Sequence, residues 1–200
     1  MSSQPDKSTS LNFFLSSTFL LLVWLISTPV LLADCYKLMH QPTANHIVLV
    51  IDCSGSMNGQ PLADAKRGAN SFLAQIKSND RVALISFDDS VEFVQDEINN
   101  PNVLSTAVND LRSGGATALY DGIARAALSL VNKKGNRVIV YLTDGNDNKS
   151  RYRLTELEKM TVSEGIFVYG IGLGQADIEK LQQLSQKTSG TIRYTQISSN

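Results

Sequence analysis

Three oxygen-bearing side chains, Asp52, Ser54 and Ser56, stand at two-residue spacing in the run Asp52-Cys53-Ser54-Gly55-Ser56, directly after the apolar stretch 47–51. In an extended backbone alternate residues point the same way, so one carboxylate and two hydroxyls converge on one point. Gly55 lets the run bend as it leaves the strand. A second apolar stretch, 138–142, ends in Thr143-Asp144-Gly145 and brings another carboxylate, and the glycine-rich stretch 113–117 brings the hydroxyl of Thr117. These donors are all oxygens. With no imidazole or thiolate contributing, they suit a hard divalent cation, Mg2+ first and Ca2+ or Mn2+ as alternatives, and they disfavour zinc. Two carboxylates and three hydroxyls leave a six-position shell incomplete, so water or a carboxylate from outside has to complete it. An Asp or Glu side chain of a protein partner is one such ligand.

Positioning these residues requires strands that end side by side, and the chain is patterned for that. From His46 onward, β-branched and apolar runs alternate with stretches of helical period, as in parallel sheets covered on both faces. Strands are expected at 47–51, 82–87, 137–142, 166–171 and 191–194, with an antiparallel partner at 91–94 on a sheet edge. Helices are expected from Pro61, with Leu62, Ala65, Ala69, Phe72, Leu73 and Ile76 on one face, from Pro101, over 119–132, through Leu154, Leu157 and Met160, and over 177–184. The fold class is α/β: a doubly wound, mostly parallel central sheet with helices on both faces and one antiparallel edge strand. In such sheets the ligand crevice lies beyond the carboxyl ends of the strands, where Asp52 and Asp144 fall.

Here the residues reach a known family. Asp52-Cys53-Ser54-Gly55-Ser56-Met57, Gly114-Gly115-Ala116-Thr117-Ala118-Leu119-Tyr120-Asp121-Gly122 and Leu142-Thr143-Asp144-Gly145 together resemble the von Willebrand factor type A domain, its metal ion-dependent adhesion site, in a protein of bacterial type. The resemblance covers about residues 46–197. It implies that Ser54, Ser56 and Thr117 are direct or switchable metal ligands, that Asp52 and Asp144 act directly or through water, and that Thr117 changes its distance on ligand binding. It implies a binding module with no catalytic residues. Single motifs have plainer readings: Asp52 as a helix cap, Asp144 as a turn residue, Thr117 or Ser113 as a cap for the following helix. Asp88 and Asp89 read as hairpin-turn residues, Asp147 and Asn148 as a turn, Asp121 as a residue behind the ligands, and Cys53 as a small buried hydrophobe. The GIGLG run at 170–174 lacks a full phosphate-loop pattern and reads as the end of a strand.

The 200 residues suffice for one ordinary domain, and a net charge of −1 from 18 basic and 19 acidic side chains supplies no field for nucleic acid. Two cysteines, Cys35 and Cys53, are too few for a disulfide scaffold. Residues 1–10 read as a weakly positive cytoplasmic segment and 11–33 as an uncharged apolar stretch, of which residues 11–32 would make a helix of roughly 33 Å, enough to span a bilayer. A retained single-pass anchor with the domain outside the cytoplasm is the expectation; a cleaved signal leaving a secreted or periplasmic domain, or lipidation at Cys35, are the alternatives. Residues 34–45 read as a linker and 46–200 as the domain. Two other functions fit the same residues. One is a metal-dependent phosphohydrolase with Asp52 as nucleophile, for which no phosphate-anchoring Lys or second acid is evident; the other is an envelope scaffold whose metal is structural.

Overall fold

In the computed structural model, which describes residues 43–173, 178–188, 190 and 192–195, the first strand, β1, runs Asn45–Asp52, so that Asp52 is its last residue. The chain divides into two units, Met1–Pro42 and Thr43–Asn200. The apolar stretch 11–33, with Cys35 and His40, lies outside the described residues. Among the described residues no helix is long and apolar enough to cross a membrane.

After β1 comes a single 3-10 turn, Gly55–Met57, then α1 (Gln60–Leu73), β2 (Arg81–Phe87), β3 (Val91–Ile98), α2 (Pro101–Asp110), α3 (Leu119–Leu130), β4 (Asn136–Thr143), α4 (Leu154–Ser163), β5 (Phe167–Leu173), α5 (Ile178–Lys187) and β6 (Ile192–Thr195). The sheet has the order β3-β2-β1-β4-β5-β6. β1 pairs in parallel with β2 and β4, β4 with β5 and β5 with β6, while β2 and β3 are antiparallel. The expected doubly wound sheet with one antiparallel edge strand is therefore what the chain forms.

Period-2 alternation in β1 sorts the core. Val48 and Val50 face one layer with Ile85, Tyr141, Val168 and the α3 residues Leu119, Ile123 and Leu130. Ile47, Leu49 and Ile51 face the other, with Leu62, Ala65, Ala69 and Leu73 of α1 and Leu104 and Val108 of α2. Both faces are covered because both parities of β1 are apolar. The expected α1 face holds its place, and Ile76 packs on the same layer although the helix has already ended. α3 stops at Leu130, two residues short of the expected end, because Val131 leaves the helical region with ψ of 136° and Asn132 follows with a left-handed φ of 66°.

β3 is twice as long as expected. Its polar side chains Glu92, Gln95, Asp96 and Glu97 hide the strand signal, yet its backbone pairs with β2 through two register shifts. Polar residues and bulges are common on edge strands, where they discourage further pairing. The GIGLG run begins inside β5, in line with its reading as the end of a strand. With β2 to the left of β1 and β4 to its right, the strand order reverses between β1 and β4. That switch point opens a crevice at their carboxyl ends.

Candidate functional site

Asp52 closes β1 and Thr143 closes β4, so the two neighbouring strands deliver their following loops to one place. Asp52 has no solvent exposure. Its Oδ1 accepts the Ser54 backbone N–H at 2.8 Å, and its Oδ2 accepts the Thr143 hydroxyl. The Asp52 carboxylate is thus held by neutral donors of Ser54 and Thr143. The Ser54 and Ser56 hydroxyls lie 3.1 Å apart, and Ser56 Oγ donates to Asp144 Oδ1 at 2.7 Å. A Cβ placed on Gly145 would lie 3.6 Å from Ser56 Oγ and 3.7 Å from Thr117 Oγ1, which puts the threonine hydroxyl in the same cluster. The fold brings together all five expected residues: Asp52, Ser54, Ser56, Thr117 and Asp144. Ser54 and Thr117 are buried like Asp52, whereas Ser56 is exposed and Asp144 half-buried, so the cluster opens to solvent on one side only.

Burial pushes the Asp52 carboxyl above its ordinary value of 3.8; hydrogen bonds from Ser54 and Thr143 oppose this, and the neighbouring Asp144 charge adds to it. Among the described residues, no basic side chain forms an ion pair with Asp52 or Asp144. Nor do any three His, Cys, Asp or Glu side chains cluster there. Two carboxylates and three hydroxyls around an uncompensated buried charge fit a hard cation, and the soft or imidazole ligands that zinc favours are missing from the set.

Contacts among these loops and the β2–β3 turn hold the cluster in shape. Gly55 N–H donates to Gly115 O at 2.9 Å and Gly114 N–H to Cys53 O at 2.7 Å, tying the loop after β1 to the glycine-rich loop. Gly55 lets the two loops approach closely: an added Cβ would crowd Gly115 O at 3.2 Å. Asp89 Oδ1 accepts the Ala116 N–H at 2.6 Å, and Gly115, with φ of 76°, passes so close that a Cβ would lie 3.1 Å from the Asp89 carboxyl carbon. Asn148 brackets Thr117: its side-chain oxygen takes the Thr117 N–H at 3.0 Å, and its own N–H donates to Thr117 O at 3.0 Å.

These positioning residues are where the sequence reading falls short. Asp88 does make the expected turn, accepting Ser90 N–H at 2.9 Å, but Asp89 reaches across to the Thr117 loop. Thr117 does not cap α3: Asp147 and Ser150, from the loop after β4, take the Tyr120 and Asp121 N–H groups. Asp121 in turn accepts the Arg151 and Tyr152 N–H groups. The only hint in the sequence is the density of Asp, Asn and Ser in 144–150, because such side chains serve turns and long-range caps alike. Cys53 is buried and free, as expected of a small hydrophobe; burial first, and then the Asp52 and Asp88 charges, push its thiol up to about 12.

Comparison with known proteins bears on the whole of this unit. A family model described as von Willebrand factor type A domain matches residues 46–200. The Synechocystis protein sll0103 is 28% identical over 155 residues, and mouse calcium-activated chloride channel regulator 1 is 32% identical over 161 residues. Each alignment takes in 74% of this chain but only 37% and 17% of the relative, so this chain spans well under half the length of either. Among solved structures, a von Willebrand factor type A protein from Catenulispora acidiphila superposes with a TM-score of 0.68 at 19% identity, covering 78% of this chain and 39% of that one. An aerotolerance-related membrane protein from Bacteroides fragilis gives 0.66 at 19% identity, covering 75% and 90%. At such identities the structures speak for the fold alone.

Proposed function

The chain belongs to the von Willebrand factor type A domain family, and from that premise we propose that it is a divalent-metal-dependent protein-binding module, not an enzyme. The observation that carries this reading is a fully buried carboxylate, Asp52, beside a second one, Asp144, with three hydroxyls around them and no basic counter-charge among the described residues. A buried charge without a partner is strongly unfavourable, and a cation is the partner this donor set fits. Ser54, Ser56 and Thr117 would hold it directly, with Asp52 and Asp144 direct or through water. Mg2+ is the first choice, with Mn2+ and Ca2+ behind it. When bound, the metal supplies an electrophilic site for a carboxylate from outside.

The chain's own residues do the rest. Asp52, fixed by the Ser54 N–H and Thr143, aligns the floor of the site; Ser56 and Asp144, on the solvent side, leave room for an Asp or Glu of a protein partner. Thr117 sits on a loop held at Asp89 and Asn148, and a shift of that loop would change the distance of its hydroxyl from the site. The uncharged apolar stretch 11–33, long enough to span a bilayer, would anchor the domain in a membrane, with 34–45 as the linker.

The test is calorimetric titration of Mg2+ and Mn2+ into the full chain, with Asp144→Ala and Asp52→Asn variants, with and without acetate. Saturable binding by wild type that both variants lose, strengthened by acetate, is the expected result. No cation binding under any condition would remove the mechanism. Magnesium-dependent turnover of a simple phosphate ester, abolished in Asp52→Asn, would put the phosphohydrolase reading in its place.

A further inference from the structure

Beside the Thr117 loop runs a groove of about 410 Å³ between α3 and the loop after β4. Its α3 wall carries Asp121, Arg125 and Leu128, which lie on one helical face at spacings of four and three. Its other wall carries Lys149, Arg151 and Tyr152. Leu128 is 47% and Tyr152 38% exposed, so the groove offers two large apolar surfaces to solvent beside three cations.

The three cations outnumber the two carboxylates that line the groove, Asp121 and Asp89, and both carboxylates are engaged by backbone. Asp121 Oδ1 is taken by the Arg151 and Tyr152 backbone N–H groups, and Asp89 Oδ1 by that of Ala116. Arg125 lies over the Phe93 ring, 4.8 Å from its centre, and none of Arg125, Lys149 and Arg151 forms an ion pair among the described residues. Lys149 follows Asn148, which brackets Thr117, so the cations begin where the oxygen cluster ends. On the other side of the β2–β3 turn the sign reverses: a groove of about 670 Å³ there is lined by Asp88, Glu92 and Asp110 against the single cation Arg112.

Resting on the reading of the oxygen cluster as a carboxylate-binding metal site, we infer that the α3-side groove docks an acidic segment of the protein partner, one that continues past the metal-bound Asp or Glu with further carboxylates and an apolar residue. The three cations attract such a segment, and Leu128 and Tyr152 receive the apolar side chain. The acidic groove across the turn repels it, which fixes the direction in which it leaves the metal.

The test uses two fluorescent peptides, one with a single Asp among Gly and Ser and one in which two Glu and a Leu follow the Asp. Their binding to the full chain is followed by anisotropy with and without Mg2+. The second peptide should bind about tenfold more tightly at low salt, an advantage that shrinks toward 1 M salt as the Debye length falls to about 3 Å. Lys149→Ala combined with Arg151→Ala should erase that advantage while leaving the single-Asp peptide unaffected. Glu92→Gln should not weaken either peptide. Equal affinities in the wild type, or an advantage that survives the double variant, would overturn the groove. Loss of all Mg2+ dependence with a lysine- and arginine-dependent advantage retained would sink the metal reading and leave the groove standing. No binding of either peptide would sink both.

Discussion

At Asp52, a carboxylate with no solvent exposure is stabilised by neutral donors of Ser54 and Thr143. Its folded pKa is raised above the unfolded value, chiefly by burial, so without metal the protonated form is favoured by folding. The stability it contributes is complete below the ordinary value of 3.8 and is lost as pH rises through the folded pKa. In chelator, Asp52→Asn should therefore melt above wild type at pH 7, with the difference gone below pH 3.8. Saturating Mg2+ should reverse the order at pH 7. Thermal melts at the two pH values, with and without metal, check this, and a wild type that is the more stable form in chelator would contradict it. Asp89 acts more remotely, through the Ala116 N–H. Asp89→Ala should weaken Mg2+ affinity roughly tenfold, as partners behind metal ligands commonly do, while changing stability by about 1 kcal/mol, the worth of one hydrogen bond. Calorimetry and denaturant melts on the same sample separate the two effects.

Among the elements, the edge strand β3 carries the clearest electrostatic tie. Glu97 bonds His46 Nδ1 on β1 and Lys133 Nζ after α3, the latter at 2.6 Å, and His46 Nε2 lies 3.0 Å from Lys134 O. Burial alone would raise the Glu97 carboxyl, but hydrogen bonds from Lys133 and His46 outweigh it and hold it below its ordinary value. A depressed folded pKa contributes stability above the unfolded pKa that is lost as pH falls through the folded one. Glu97→Gln should lose about 1 kcal/mol near neutrality and nothing in strong acid, with Mg2+ affinity unchanged because the tie lies at the opposite end of β1 from Asp52. A loss of the same size at all pH values, read by urea melts, would assign the effect to packing. This strand was only half legible in the sequence. Val91 and Val94 read as a strand, whereas Gln95 to Ile98 did not, because polar residues at both parities of this edge strand break up the continuous apolar run that marked its buried neighbours.

For the molecule as a whole, the proposed metal site and the core would be parts of one equilibrium. A ligand bound only by the folded state adds about 2.7 kcal/mol of stability at a hundred times its dissociation constant. Mg2+ at that excess should raise the urea midpoint of the chain by the corresponding amount, and the Asp144→Ala chain should show no shift; an equal shift in both would place the effect outside the cluster. What the sequence by itself determined was periodic or local. Two parities of apolar residues in β1 dictated a sheet covered on both faces, and the spacing of Asp52, Ser54 and Ser56 marked three oxygens for one place, although only Asp52 lies on the strand and Ser56 reaches the cluster from the 3-10 turn. Asp144 and Thr117 were expected there from their loops and the family pattern, whereas the adjacency of β1 and β4 at a switch point came from the tertiary structure. The tertiary structure alone decided how deep the site lies and what secures it. Asp52 is a core residue and not a rim residue, Asp89 and Asn148 hold the Thr117 loop, and Asp147 and Ser150 cap α3 from another loop. Burial and long-range hydrogen bonds depend on which loops meet at the end of the sheet, and a short polar side chain looks the same in the sequence whether it turns its own loop or grips another.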